Sequence, residues 1–361
     1  MIRYSGNPLI TPQDITPSHP GFKVECAFNA GITKLGDETI MLIRIAESVI
    51  PESEGITVVP LLMEISGHWQ VTTRVFKHDD PAYDFSDPRL ISDIADPSTV
   101  YLTSLSHLRV ARSHDGVTFV VDDQPFIFPA NGDEAFGCED ARITQIDGAY
   151  YINYSAVSAK GICTALAVTQ DFTDVKRLGL IFCPDNRDAC LFPEKINGKY
   201  MTLHRPAPKH FGKPEIWLAS SLDLLHWGDH RHLLGTSQDP WDALKLGGGA
   251  QMLKTEKGWL QIYHGVDATQ RYSLGALLLD LEQPTKILAK SPVPLLQPQA
   301  PYELHGFFGN VVFTCGALIE NDSLRVYYGA ADECMCLAEM PLAQLWQHLS
   351  VELRDKKIRL L

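Results

Sequence analysis

The sequence lacks an excess of positive charge: 31 Lys+Arg stand against 44 Asp+Glu, a formal charge of -13 over 361 residues. Affinity drawn from nucleic-acid phosphates or an anionic membrane needs the opposite sign, so neither is expected as a partner. An anion used as a substrate would need a local cluster of cations. Also missing is any apolar run near the roughly 18 residues of a spanning helix. The first residues, MIRYSGNPLITPQD, carry no apolar targeting core or small-residue cleavage site, and a cytoplasmic chain is expected. Eight cysteines (Cys26, Cys138, Cys163, Cys183, Cys190, Cys315, Cys334 and Cys336) include no CxxC pair and are scattered through strand-like segments. They read as reduced thiols packed as small apolar groups. His230-Arg231-His232 and Cys334-Met335-Cys336 place alternate residues on one strand face without the further ligands of a closed zinc site, so no metal is expected. No GxxxxGK[ST], helix-opening GxGxxG or GxSxG pattern occurs, which argues against nucleotide binding and a serine-hydrolase elbow. The glycines Gly247, Gly248 and Gly249 point instead to close backbone approach.

What is present is a repeated grammar. With 45% hydrophobic and 21% charged residues the chain can bury a large core, and its length suits one large repetitive β domain or two ordinary domains. ARITQIDGAYYINYSAV, CLFPEKINGKYMTLHRP, QMLKTEKGWLQIYHGVD and GALIENDSLRVYYGAAD each read as an apolar strand, a polar turn and an alternating strand, that is, a β-hairpin. Second strand pairs follow, clearest in TALAVTQDFTDVKRLG and EIWLASSLDLLHWGDHRHLL. The hairpins recur at roughly the length of a four-stranded propeller blade with an elaborated loop, which leaves five or six blades open. After Pro341, the stripe Leu342, Leu345, Trp346, Leu349 and Leu353 predicts a helix over 341–357. It reads as a strap on the outside of the ring, or as an oligomer contact. Residues 1–25, rich in proline, read as an extended arm.

In a ring of blades, functional groups gather at inner-strand ends and loops. Glu139 and Asp140, with Arg142, stand just before an otherwise apolar strand. His204 and Arg205 close a hairpin where a chain needing only a core would not place them, and Arg187, Arg205, Lys245 and His264 recur near strand ends in successive repeats. That recurrence suggests an anion site inside an acidic protein.

These segments resemble the β-mannoside phosphorylases of glycoside hydrolase family 130 over nearly the whole chain. The resemblance is carried by Asn7 to Ile10, Phe28 to Gly31, Leu42 to Arg44, Gly137 to Arg142, Leu191 to Lys195, His204 to Pro206, Trp241 to Gly249, Tyr263 to Asp267 and Gly309 to Phe313. It implies an all-β, five-bladed β-propeller with a C-terminal helix, a single catalytic domain over 1–361. It implies Asp140 as general acid, its proton passing through the 3-hydroxyl of the transferred mannose, and Arg187, Lys245 and His264 as phosphate ligands. Asn29, Arg44, Arg109, Glu139, Tyr154, His204, Arg205 and Asp267 are implied as sugar contacts. Inorganic phosphate is then a co-substrate and no cofactor is needed. An inverting displacement by phosphate requires one acid and no second catalytic carboxylate. Such an acid should have its pKa raised by burial or by Glu139, whereas pairing with Arg142 would lower it. The family's usual proline after the acid is Ala141 here, which leaves the acid's placement less locally constrained.

The resemblance is greatest to members acting on β-1,2-linked mannobiose and oligomannans. The alternatives are a β-1,4-mannooligosaccharide or mannosyl-glucose phosphorylase, an inverting β-mannosidase with Glu194 or Asp188 as base, and a non-catalytic glycan-binding propeller. A homo-oligomer, a dimer in its simplest form, is the expected assembly.

Overall fold

The computed structural model describes the backbone of residues 1–358 and the side chains of residues 1–350. In the strand Gly258–Val266 every residue is buried, with Trp259 and Tyr263 in one hydrophobic cluster and Leu260 and Ile262 in another. Period-two alternation sends successive side chains to opposite faces, so this sheet is covered on both sides.

Five antiparallel meanders follow one another along the chain. The first runs through Phe22–Leu35, Glu38–Val49 and Leu105–Ser113, with Val120–Val121 on its edge. The second comprises Gly137–Ile146, Ala149–Ser158, Gly161–Thr169 and Lys176–Phe182, and a parallel bridge from Gly137 to Ser106 joins it to the first. The third comprises Asn186–Leu191, Tyr200–Pro206, Ile216–Ser221 and Trp227–Leu234. In the fourth, Lys245–Gly248 and Leu253–Thr255 both pair with Gly258–Val266, followed by Tyr272–Leu279 and Ile287–Lys290. The fifth holds Val312–Glu320, Ser323–Ala330 and Cys334–Pro341. The expected hairpin turns are present, with positive φ at Asp147-Gly148, Asn197-Gly198 and Asn321-Asp322, as tight turns between right-twisted strands require.

Each meander contributes to two of five large hydrophobic clusters. The clusters lie between the first and second, second and third, third and fourth, fourth and fifth, and fifth and first. All eight cysteines are free, and all but Cys183 are buried.

Three boundaries differ from those expected. The arm assigned to 1–25 is not one extended segment: Pro12–Asp14 forms a 3-10 turn, Phe22 already opens the first meander, and Ile2–Arg3 adds an edge strand to the fifth, Ile2 opposite Glu339. Arg3 is held there by Glu303 (2.7 and 2.8 Å) and Asn7 by the Leu337 carbonyl (2.9 Å). The helix spans Leu342–Ile358, Pro341 being the last residue of the preceding strand. Leu345 and Leu349 are buried in the cluster between the fourth and fifth meanders, as a strap requires; Leu353 lies outside the described side chains. Among the described residues no helix is long and apolar enough to cross a membrane.

The third difference is an insertion over residues 50–104. Glu38–Val49 pairs directly with Leu105–Ser113, so everything between them stands outside the meander. It forms a hairpin, Ile56–Ile65 with His68–Lys77, and a small sheet of Tyr83–Asp84, Leu90–Asp93 and Val100–Leu102 around its own core of Val59, Phe76 and Ile91.

Candidate active site

The first strands of the first, second, third and fifth meanders share one irregularity. Pairing slips between Phe28 and Gly31, Glu139 and Arg142, Arg187 and Cys190, and Thr314 and Gly316. At three of these bulges the extra residue adopts the left-handed conformation: Asn29 (φ 50), Asp140 (φ 50) and Asp188 (φ 58). Asn and Asp tolerate that region better than other side chains do, and a bulge re-aims the residue it carries. In the fourth meander the same close approach is made by glycine. A Cβ at Gly247 would run into the Asp188 carboxylate and the His264 ring, and one at Gly249 into the Ile262 carbonyl. Asn29, Asp140 and Asp188 all line one cavity of about 450 Å³. Ala141 lies fully buried just after its bulge, as Ala30 and Ala189 do after theirs. The bulge, rather than a proline, constrains the acid's backbone.

One side of the cavity is carboxylic. Arg44 donates from Nη2 to Glu139 Oε1 (2.7 Å) and from Nη1 to Asp140 Oδ1 (3.1 Å), while Asn29 donates to the same Asp140 oxygen (3.1 Å). Arg142 does not pair with either carboxylate, so the lowering that such a pair would bring to the acid does not arise. It donates to the Asp140 backbone carbonyl (2.8 Å), to the carbonyls of Gly249 and Gly248, and to Asp188 Oδ1 (3.1 Å), tying three meanders together. Burial raises the pKa of Glu139 against the pull of Arg44, with Asp140 adding to the rise. Asp332, in the turn before Cys334–Pro341, also lines this wall; burial pushes it up to about 6 against Arg44.

The other side is cationic. Arg187 and Arg205 are direct cross-strand partners, an arrangement that like charges disfavour. Asp188 compensates, its Oδ2 lying 2.6 Å from Arg205 Nε and 3.6 Å from His264 Nε2. Burial alone would raise its pKa, but Arg205, His264, Arg142 and Arg187 hold the carboxyl well below the usual range. Lys245 completes the group, its Nζ 4.7 Å from the Tyr272 ring centroid; burial, with Arg205 and Arg187, lowers it to about 8. Burial lowers His264 to about 3, so it stands in this wall as a neutral imidazole rather than a cation. The buried Arg187 Nε has no partner among the described residues. Phe28, beneath Arg44 at 4.6 Å, and Phe313, 4.7 Å from the His264 ring, add aromatic surface.

Of the expected site residues, Asn29, Arg44, Glu139, Asp140, Arg187, Arg205, Lys245 and His264 line the cavity; Arg109, Tyr154, His204 and Asp267 do not. Alternation explains His204: with its neighbour Arg205 turned to the cavity, it faces the other way and stacks on Phe182 at 4.4 Å. Tyr154 points into the core between the first two meanders and donates to Glu134 (2.6 Å). Arg109 sits on the third strand of its sheet, beside Glu47 at 3.5 Å. Asp267 caps its own turn, accepting from Thr269 N (2.8 Å) and Oγ1 (2.7 Å). Glu194 is ion-paired with Lys254 outside the cavity. Sequence reasoning missed Asp332 and Arg89 and gave Asp188 only as an alternative base. A motif of Asn or Asp followed by Ala (Asn29-Ala30, Asp140-Ala141, Asp188-Ala189) is the signal that could have grouped Asp188 with the acid.

A family model for glycoside hydrolase family 130, described as β-1,4-mannooligosaccharide phosphorylase, matches residues 99–350. The chain belongs to glycoside hydrolase family 130. Within family 130 it is 47% identical to the β-1,2-mannobiose phosphorylase of Listeria innocua over 351 residues, 97% of this chain and 98% of that one. The structure of that enzyme with β-1,2-mannobiose matches with a TM-score of 0.92, covering 97% of this chain and 99% of that chain. The 1,2-β-oligomannan phosphorylase of Thermoanaerobacter sp. (strain X514) is 39% identical over 254 residues, 69% of this chain and 83% of its own.

Proposed function

We propose that this chain is an inverting phosphorylase of β-1,2-linked mannobiose or short β-1,2-mannooligosaccharides, releasing α-mannose 1-phosphate and a sugar shortened by one mannose. One observation carries the reading. Glu139, Asp140 and Asp332 come from the second and fifth meanders, while Arg187, Arg205, Lys245 and His264 face them from the third and fourth across one cavity. In this reading Asp140 supplies the proton that reaches the glycosidic oxygen through the mannose 3-hydroxyl, the C1–O bond breaks, and phosphate bonds to C1 from the opposite face. The cation wall holds the phosphate and disperses its charge. Asn29, Arg44, Glu139 and Asp332 bind the transferred mannose. The β-1,2 linkage is drawn from the 47% and 39% identical relatives.

Hydrolysis would need a free carboxylate base across from the acid. Asp188 is engaged by Arg142, Arg205 and His264, and Glu194 lies outside the cavity. The five clusters around five meanders, with Ile2–Arg3 on the last sheet, support a single closed five-bladed propeller.

Incubation with β-1,2-mannobiose is expected to yield α-mannose 1-phosphate only when phosphate is added. Equal mannose release without phosphate would overturn the reading. A second expectation concerns pH. Lys245 loses its proton as pH rises through about 8, removing one cation from the phosphate wall. The KM for phosphate should therefore climb above that pH, with bound phosphate shifting the onset upward. Lys245→Arg, protonated throughout, should flatten the climb; an identical profile in this variant would reject Lys245 as its source.

A further inference from the structure

The insertion over residues 50–104 leaves the first meander after Val49 and re-enters it at Leu105, next to the strand ends that carry Arg44 and Ala46 into the cavity. Arg89, Leu90, Leu102 and Ser104 from the insertion line the cavity. Arg89 is held from two sides. Asp87 accepts from its Nε (3.0 Å) and Nη2 (2.8 Å), and the guanidinium lies 4.0 Å from the centroid of the Phe308 ring. These contacts preorganise a planar donor group while leaving Nη1 without a partner among the described residues.

We propose that Arg89 selects the leaving sugar, donating from its Nη1 edge to hydroxyls of the mannose unit released when the glycosidic bond breaks. The inference rests on the phosphorylase reading. Inversion puts phosphate and leaving group on opposite faces of the transferred sugar. Phosphate is assigned to the cations of the third and fourth meanders, so the leaving sugar lies on the side of Asp140 and Arg44. The insertion leaves and re-enters the first meander, the sheet that carries Arg44. Bidentate fixing by Asp87 means that little side-chain freedom is lost when the sugar binds.

The test uses the full chain in the synthetic direction, with mannose as acceptor and α-mannose 1-phosphate as donor. Arg89→Ala should raise the acceptor KM by roughly tenfold to a hundredfold, the range for a lost charge-assisted hydrogen bond, with the donor KM unchanged. Asp87→Asn, which loosens the guanidinium without removing it, should raise the acceptor KM less and also spare the donor. Thermal unfolding of both variants, matching wild type, separates this from a damaged insertion. If Arg89→Ala does not fold, Asp87→Asn decides. An unchanged acceptor KM, or an equal rise for the donor, overturns the inference while the activity stands. Wild-type protein that makes no disaccharide from these reactants overturns the activity reading and this inference with it.

Discussion

Asp140→Asn is expected to lower kcat for phosphorolysis by about 10²- to 10⁴-fold, the usual contribution of a positioned general acid, while the fold survives. Asparagine keeps the size of the side chain and accepts the left-handed backbone at this bulge (φ 50). Its carbonyl oxygen can still accept from Asn29 and Arg44, and Arg44 retains Glu139 at 2.7 Å. Only the transferable proton is removed. Asp140→Ala is a poorer probe because it adds backbone strain at a positive φ. The check is kcat measured beside thermal unfolding. A variant within a few-fold of wild type would reject the acid assignment, and a variant that unfolds early would show that the bulge depends on charge at this position.

Asp188→Asn should act first on stability. Arg142 and Asp188 side chains are 1% and 2% exposed, and Arg205 is 8% exposed. Removing the anion leaves two buried guanidinium groups without their shared counter-charge, a class of change that costs about 3–5 kcal/mol. Because the folded-state pKa of Asp188 is depressed, its stabilisation is complete above the unfolded pKa. It is lost only as pH falls through the folded value, so at neutral pH the variant should show the whole deficit. Phosphate bound between Arg205, Arg187 and Lys245 replaces the missing negative charge. It should therefore raise the melting temperature of Asp188→Asn more than that of wild type, by mass action on a tighter site. Differential scanning calorimetry with and without phosphate measures both effects. Unchanged melting, or equal stabilisation of the two proteins, would remove Asp188 from the cation wall's support.

The insertion shows where sequence reading loses the thread. The hairpin Ile56–Ile65 with His68–Lys77 alternates like the meander strands, yet it packs on its own small core and interrupts the first meander between partners that pair directly. Pairing partners separated by the whole 50–104 insertion leave no local mark, so the repeat count stayed at five or six and Arg89 went unnoticed. The four expected residues that miss the cavity fail for a related reason. His204 and Arg205 are adjacent and both polar, and only the strand's position between its neighbours decides which one faces the cavity. A one-residue difference in facing exchanges wall for core.

The linear sequence determined this protein's strand grammar, its tight turns at Asp147-Gly148, Asn197-Gly198 and Asn321-Asp322, its C-terminal strap and the concentration of cations at Arg187, Arg205 and Lys245 in an acidic chain. Those are properties of period, turn chemistry and charge, which short stretches of chain express by themselves. Only the tertiary structure decided that Asn29, Asp140 and Asp188 share one cavity, that Arg44 rather than Arg142 holds the two carboxylates, and that Asp332 joins them from the opposite end of the chain. It also decided that His264 is a neutral imidazole. The reason is burial: in water Asp188, Asp332 and His264 would titrate near their ordinary values. Desolvated among neighbouring charges, they are shifted by burial and by one another's fields.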